Sequence, residues 1–283
     1  MAAHRLRSAD YLTRFERHQD RGRTLYVLRG FALPFDARSL FEPEGLTARS
    51  GVAVAAGRGA IHALTVGREC RLLVRHYRRG GVLAPLLGDR YLGGGTPRPV
   101  AELLATEFAR AHDVAVPTIA GALVRPAGPF AYRGDLFVVE EPGSVDLLGF
   151  LRREPDPARR RAVLRRTGAE IRRMHDAGLD HRDLNVKNVL VRRDGAIMIL
   201  DFDRARVFDR LSDPARARAL TRLLRSAIKR DLVPARVGRG EVIAFVRGYA
   251  RGDAAAIAGL RAELKRMRRG LPFRRLLWKK AST

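Results

Sequence analysis

The sequence predicts an α+β protein of two lobes, with antiparallel strands dominating up to about residue 140 and helices from about residue 144. Three observations carry this. Residues 52 to 77 hold three short apolar segments separated by glycine-containing turns, and residues 156 to 177, 213 to 230 and 239 to 250 repeat apolar positions at helical spacing. A single hairpin, Val189 to Arg192 and Ile197 to Leu200 around Arg193-Asp194-Gly195, interrupts the helical half.

The elements follow in order. After a polar N-terminal segment with several aromatics, read as an extension, the strands are Val52 to Ala56, Ala60 to Val66 and Arg71 to Tyr77. Gly57-Arg58-Gly59 and Gly67-Arg68-Glu69 form the turns between them. A Gly/Pro-rich stretch then leads to a helix over Val100 to His112, with Pro99 near its start. Ile119 to Val124 and Asp135 to Val139 are further strands, and Glu140-Glu141-Pro142-Gly143 is a turn. Beyond it, Val145 to Leu151 and Asp156 to Ala177 read as helices, the second stopped by Gly178. A last helix is expected over residues 253 to 268. The whole is one domain of residues 1–283, with lobes of approximately 1–140 and 144–283.

The chain has 283 residues, 46% of them hydrophobic, enough for a sizeable core. No apolar run approaches the roughly 20 residues of a membrane-spanning helix, and the N-terminus lacks the apolar stretch of a secretion signal, which predicts a cytosolic protein. The lone cysteine, Cys70, has no partner for an internal disulfide and reads as a strand thiol. Lys and Arg total 55 against 30 Asp and Glu, a net charge of +25, so a polyanionic partner is expected: nucleic acid, an anionic bilayer or a phosphorylated substrate.

The chemistry concentrates in HRDLNVKNVLVRRDGAIMILDFDRAR, which starts at His181. Phosphoryl transfer from ATP needs a carboxylate to orient and deprotonate the attacking hydroxyl, and oxygen ligands to hold Mg²⁺ against the phosphates. Asp183 suits the first role; Asn188 and Asp201 suit the second. The intervening hairpin would return Asp201 to the neighbourhood of Asn188, as a preorganised metal site requires.

H-R-D-L-x-x-x-N followed by D-F-x resembles the catalytic loop and metal-binding segment of protein-kinase-like enzymes, which implies that two-lobed fold. By the same resemblance Gly57, Arg58 and Gly59 sit where a phosphate-covering loop belongs, although an ordinary hairpin turn reads equally from these residues alone. The strand lysine that contacts the nucleotide phosphates is replaced by Arg75, whose acidic partner is Glu102 or Glu107. Glu102 is preferred for its place early in the helix. Glu140 and Glu141 fall at the hinge, where backbone groups would hold adenine. DFD in place of D-F-G, with no A-P-E and helical pattern resuming by about residue 213, argues against peptide substrates.

A narrower resemblance covers most of residues 55 to 206. LLVRHYRRGG, GDRYL, the helix ending in VAVP, and the HRDLN and LDFDRAR segments are similar to bacterial 3-deoxy-D-manno-octulosonic acid (Kdo) kinases of the lipopolysaccharide core kinase family. This implies transfer of the ATP γ-phosphate to a Kdo hydroxyl, the 4-hydroxyl, of a lipid A precursor. The enzyme would then work at the inner face of the cytoplasmic membrane, as a peripheral protein drawn to an anionic surface. Arg78, Arg79, Lys187, Arg204 and Arg206 would bind the acceptor's anionic groups, with solvated surface charge as the plainer reading of each. Leu271, Phe273, Leu276, Leu277 and Trp278, set among Arg and Lys, read as an interfacial anchor or as a helix packed on the second lobe. Heptose kinases are the nearest competitors. A catalytically silent module that binds nucleic acid is the reading from another class; the intact Asp183, Asn188 and Asp201 argue against it, and no nucleic-acid partner is expected.

Overall fold

Along the strands of the first half, successive side chains fall on opposite faces, and both faces are apolar. On the eighth strand Leu136 joins one buried cluster and Phe137 the other; on its neighbour Ala122 and Leu123 divide in the same way. The consequence is a sheet covered on both sides.

A computed structural model of the chain describes residues 8–31, 37–45, 51–55, 61–66, 70–78 and 88–253, with positions 258 and 262. The described residues fall into two compact units: a sheet unit, up to Ala111 and again over Val116–Pro142, and a helical unit, from Gly143 onward with His112–Ala115.

The sheet unit contains β1 (Phe15–Asp20), β2 (Arg23–Leu28), β3 (Gly51–Ala55), β4 (Ile61–Val66), β5 (Cys70–His76), β6 (Tyr91–Leu92), β7 (Ile119–Pro126) and β8 (Ala131–Val139). Their order is β1-β2-β7-β8-β5-β4-β3, with β6 also pairing β8, and every pairing is antiparallel. A short helix α1 (Ser8–Tyr11) precedes them, and α2 (Arg98–Ala111) packs its Leu103 into the cluster formed by Phe15, Tyr77, Tyr91, Ile119, Ala122 and Leu136. Pro99 lies in the first turn of α2, where its missing N–H costs no helical hydrogen bond. The opposite face buries Leu25, Leu64, Leu72, Val74, Leu123 and Phe137 against Leu40 and Phe41 of a 3₁₀ turn (Ala37–Phe41). Complete burial of one such side chain stabilises by roughly 1.5–3 kcal/mol.

The helical unit contains β9 (Val145–Asp146), α3 (Leu147–Arg153), α4 (Pro157–Asp176), β10 (Leu179–Asp180), β11 (Val189–Val191), β12 (Ile197–Ile199), β13 (Arg206–Val207), α5 (Asp213–Lys229) and α6 (Arg239–Ala250). Asp156 caps α4 by accepting from the Ala158 and Arg159 N–H groups at 2.8 and 3.2 Å, and Pro157 follows at its first turn. The α4 and α6 backbones approach closely at two glycines. A Cβ at Gly168 would stand 2.3 Å from the Phe245 carbonyl oxygen, and one at Gly248 would stand 1.9 Å from that of Arg165. Only glycine permits this contact. Among the described residues no helix is long and apolar enough to cross a membrane.

Two expectations need correction. Residues 15–28 are not an extension but β1 and β2, which close one side of the sheet through the β2–β7 pairing. The helix expected from Val145 begins at Leu147 instead, because Val145 and Asp146 pair with Val191 and Leu190 as a third strand beside the hairpin. The Asp146 carboxylate then caps the helix from the strand's end, accepting from Gly149 N–H at 2.7 Å. The two glycine turns at 57–59 and 67–69 and the C-terminal anchor residues lie outside the described residues, as does nearly all of the helix expected over 253–268.

Candidate active site

The β11–β12 hairpin is in register Val189↔Ile199, Leu190↔Met198 and Val191↔Ile197, and the Leu200 N–H extends the ladder by donating to the Asn188 carbonyl at 2.9 Å. Asn188 and Leu200 are therefore opposite each other at its open end. Asp201 comes next with φ at 66°, a left-handed conformation uncommon outside glycine. This turn leaves Asp201 half-buried while Phe202 enters the core at 1% exposure.

The preceding loop is tied to that strand end through His181. Its Nε2 lies 2.8 Å from the Leu200 carbonyl and its Nδ1 3.3 Å from the Asp183 N–H. Nδ1 must accept from the peptide N–H, so the proton sits on Nε2 and is donated to Leu200. The ring is buried beside Phe202, with centroids 5.2 Å apart. Burial pushes its pKa below the ordinary histidine value, and the Leu200 carbonyl and the Asp201 and Asp183 carboxylates only partly oppose this. A neutral imidazole is the form these bonds need.

The Asp183 carbonyl accepts from the side-chain amides of both Asn185 and Asn188, each at 2.9 Å. With its NH₂ committed, the Asn188 amide turns its oxygen away from the Asp183 carbonyl. From α5, Arg222 Nη2 donates to the His181 carbonyl at 3.0 Å and to Asp180 at 3.1 Å, while Ser226 Oγ accepts from the Val186 N–H at 3.0 Å. Helix, loop and hairpin thus fix one another. Asp183 itself is exposed.

The candidate metal ligands, the Asp201 carboxylate and the Asn188 amide oxygen, are hard donors that fit Mg²⁺ rather than a soft metal. Among the described residues no group of three or more His, Cys, Asp or Glu side chains is placed to hold a metal by itself.

In the sheet unit, Arg75 follows Val74 on β5 and so faces α2. Its guanidinium pairs with Glu102, which also accepts from the Tyr77 hydroxyl. Arg75 donates to that hydroxyl at 2.8 Å, and it lies 4.9 Å from the Tyr77 ring centroid. Glu107, the other acidic candidate, pairs instead with Arg14 at 2.7 Å and Arg110 at 3.2 Å. Glu140 is bound to Arg71, by its side chain at 2.8 Å and by its N–H to the Arg71 carbonyl at 2.8 Å; Glu141 is half-buried.

Lys187, Arg204 and Arg206 are exposed and share the helical unit with Asp183. Arg78, exposed in the sheet unit, lines a cavity of about 280 Å³ with His62, His76, Asp89 and Asp135. Gly57, Arg58, Gly59 and Arg79 lie outside the described residues. Sequence reasoning missed the bracing by His181, Arg222 and Ser226, whose partners lie between 19 and 42 positions away. It also missed His76, held between Asp135 at 2.7 Å and Asp89 at 3.1 Å. The hydrogen bond to Asp135 raises the His76 pKa above its ordinary value, against the effect of burial.

The chain matches the family model described as Lipopolysaccharide kinase (Kdo/WaaP) family over residues 49–249. It is 38% identical to a 3-deoxy-D-manno-octulosonic acid kinase of Photobacterium damsela subsp. piscicida, over 53% of this chain and 62% of that protein. It is 33% identical to the protein of that name from Vibrio cholerae serotype O1, over 61% of this chain and 71% of the relative. The corresponding Stenotrophomonas maltophilia (strain R551-3) protein is 34% identical over 67% and 74%. A solved structure, WaaP in complex with acyl carrier protein, superposes with a TM-score of 0.55 at 21% identity, covering 83% of this chain and 98% of that one. That likeness concerns the fold, which is protein-kinase-like. The match over residues 49–249 and these relatives together show that the chain belongs to the lipopolysaccharide kinase (Kdo/WaaP) family, phosphotransferases that act on a hydroxyl.

Proposed function

We propose that this chain transfers the γ-phosphoryl group of ATP to the 4-hydroxyl of a Kdo residue attached to a lipid A precursor. The observation that carries the reading is the loop from His181 to Asn188, bound at both ends to the strand that presents Asp201. The relatives' name, 3-deoxy-D-manno-octulosonic acid kinase, supports the acceptor.

In this reading Asp183 orients the attacking hydroxyl and takes its proton, which its exposed position at the fixed loop allows. Asn188 and Asp201 hold Mg²⁺ through oxygen atoms. Bound MgATP supplies the phosphoryl group, and transfer spreads charge over its oxygens. Arg75 meets the nucleotide phosphates from β5, with Glu102 setting the direction of its guanidinium. Gly57, Arg58 and Gly59 cover those phosphates, the backbone at Glu140 and Glu141 receives adenine, and the two units act as the lobes of one catalytic domain. Arg78, Arg79, Lys187, Arg204 and Arg206 receive the acceptor's phosphates and carboxylate.

A net charge of +25 supports work at an anionic surface, the inner face of the cytoplasmic membrane. Deleting residues 270–283 then weakens sedimentation with anionic vesicles and leaves ATP binding intact; unchanged sedimentation removes the anchor from the account. The function itself is tested by incubating the enzyme with MgATP and Kdo-lipid A. Phosphate on Kdo is expected, and phosphate found only when a heptose acceptor is offered would move the chain to the competing substrate.

A further inference from the structure

In the helical unit one cavity of about 470 Å³ gathers Arg159 and Arg166 of α4 with Arg192 and Arg193 at the tip of the β11–β12 hairpin. Among the described residues Asp194 is the only acidic one that lines it. Two of the arginines are placed by glycines. Arg166 Nη1 donates to the Asp194 carbonyl at 2.9 Å, and a Cβ at Gly195, where φ is 75°, would stand 2.6 Å from that nitrogen. Arg193 lies across Gly143, where φ is 68° and a Cβ would stand 1.9 Å from its Nε. Arg166 and Arg193 thus lie against backbone, while the side chains of all four arginines are exposed.

The acidic groups nearby are already engaged. Asp194 Oδ1 accepts from the Ala196 N–H at 2.9 Å, within its own turn. Glu154 pairs with Arg159 at 3.2 Å, but the Arg159 side chain remains 62% exposed. Like charges gathered around one hollow repel one another, the more weakly where solvent screens them. A bound anion relieves that repulsion.

We propose that this cavity is a second anion site, which takes a phosphate-bearing group such as a pyrophosphate or phosphorylated sugar through the guanidinium groups of Arg159, Arg166, Arg192 and Arg193. Guanidinium forks match phosphate oxygens two at a time, and the volume exceeds what a single phosphate fills. The site is separate from the proposed transfer site. It occupies the tip of the hairpin whose open end carries Asn188 and Asp201, roughly 13 Å away at strand rise.

The test uses the full chain with a saturating non-hydrolysable ATP analogue, so that the nucleotide site is filled before inorganic pyrophosphate is titrated by calorimetry. Wild type should bind one equivalent. Arg159→Gln/Arg193→Gln, which keeps the Arg166 bond to the hairpin, should bind at least tenfold more weakly. A charge-matched control, Arg218→Gln/Arg247→Gln on exposed positions of α5 and α6, should change affinity less than twofold. A second cavity variant, Arg192→Gln/Arg193→Gln, should reproduce the loss if the first fails to fold by circular dichroism. A parallel arm replaces pyrophosphate with vesicles of phosphatidylglycerol or phosphatidylcholine. A loss confined to pyrophosphate supports the site with a soluble phosphoester as its source, and an additional loss on phosphatidylglycerol supports it with a lipid headgroup. Equal weakening in the cavity and control pairs, or no pyrophosphate binding by wild type, overturns the proposal.

Discussion

The His181 imidazole bridges the loop that carries Asp183 and the strand that ends at Asp201, donating to the Leu200 carbonyl at 2.8 Å and accepting from the Asp183 N–H at 3.3 Å. It touches no reacting atom in the proposed mechanism, so it is a positioning residue. His181→Ala should lower kcat by about 10- to 100-fold while the KM for ATP stays within about twofold, because the residue fixes Asp183 rather than nucleotide. Leaving the half-buried Leu200 carbonyl without this partner should also cost about 1 kcal/mol of stability. Steady-state kinetics with denaturant melts separate the two effects, and a KM change with unaltered kcat would contradict the positioning role.

Arg75 and Glu102 form the corresponding unit on the sheet. Their side chains are 25% and 4% exposed. Removing one partner of such a pair strands the other, so Glu102→Ala should destabilise by about 2–4 kcal/mol, somewhat less than a fully buried pair because Arg75 retains water contact. It should also raise the KM for ATP. Glu107→Ala, which frees the half-exposed Arg14, should leave that KM unchanged. The apolar replacement of the whole cluster, Arg75→Met/Glu102→Leu/Tyr77→Phe, which leaves no buried hydroxyl stranded, should recover stability without recovering ATP affinity; recovery of both would remove Arg75 from nucleotide binding.

The His175 imidazole, on α4, predicts an acid sensitivity. Burial lowers its pKa to about 3, with Arg216 and Arg222 adding to the effect; its Nδ1 lies 2.8 Å from the Tyr249 hydroxyl, and its Nε2 is buried without a partner. The unfolded chain binds a proton as pH falls below about 6.5, whereas the folded chain resists until about 3, so stability is lost progressively as pH falls through that interval. By pH 5 the loss is about 2 kcal/mol. His175→Gln should reduce the difference between pH 7 and pH 5 denaturant melts by that amount, and an unchanged difference would contradict the assignment.

The α4–α6 contact predicts the effect of one methyl group. Gly248→Ala places a Cβ against the Arg165 carbonyl, a backbone atom that cannot rotate aside. The helices must separate, with an expected cost of about 1–3 kcal/mol. Gly252→Ala meets nothing within 4 Å of its Cβ but sits at φ 86°, so it isolates the cost of backbone conformation alone. A thermal melt of Gly248→Ala that matches the wild type would show that close packing at Gly248 contributes nothing.

How legible the molecule is in its sequence follows from which interactions are local. The hairpin is readable because Asp194-Gly195 punctuates two apolar runs, and α4 because Asp156-Pro157 begins a long helical period. The α2 helix likewise follows its proline. β1 escapes notice because FERHQD buries only Phe15, leaving no alternation to read, and β2 is apolar on a face completed only by β7, almost a hundred positions away. In the site, Asp183, Asn188 and Asp201 stand out by residue type and spacing. Arg222 and Ser226 do not, because on α5 they resemble ordinary surface positions until the fold brings His181 and Val186 to them. The Arg75–Glu102 pair lies between: alternation on β5 gives the direction of the arginine, but only the packing of α2 chooses Glu102 over Glu107.

The central claim is that Asp183 serves phosphoryl transfer to Kdo. Its direct test is mass spectrometry of Kdo-lipid A after incubation with MgATP and either wild-type enzyme or the Asp183→Ala variant, whose fold is verified by circular dichroism. Wild type should add one phosphate located on Kdo, and the variant should lose at least about a hundredfold in rate. Phosphorylation of Kdo at the wild-type rate by Asp183→Ala, or no phosphate on Kdo with the wild type, would contradict the account.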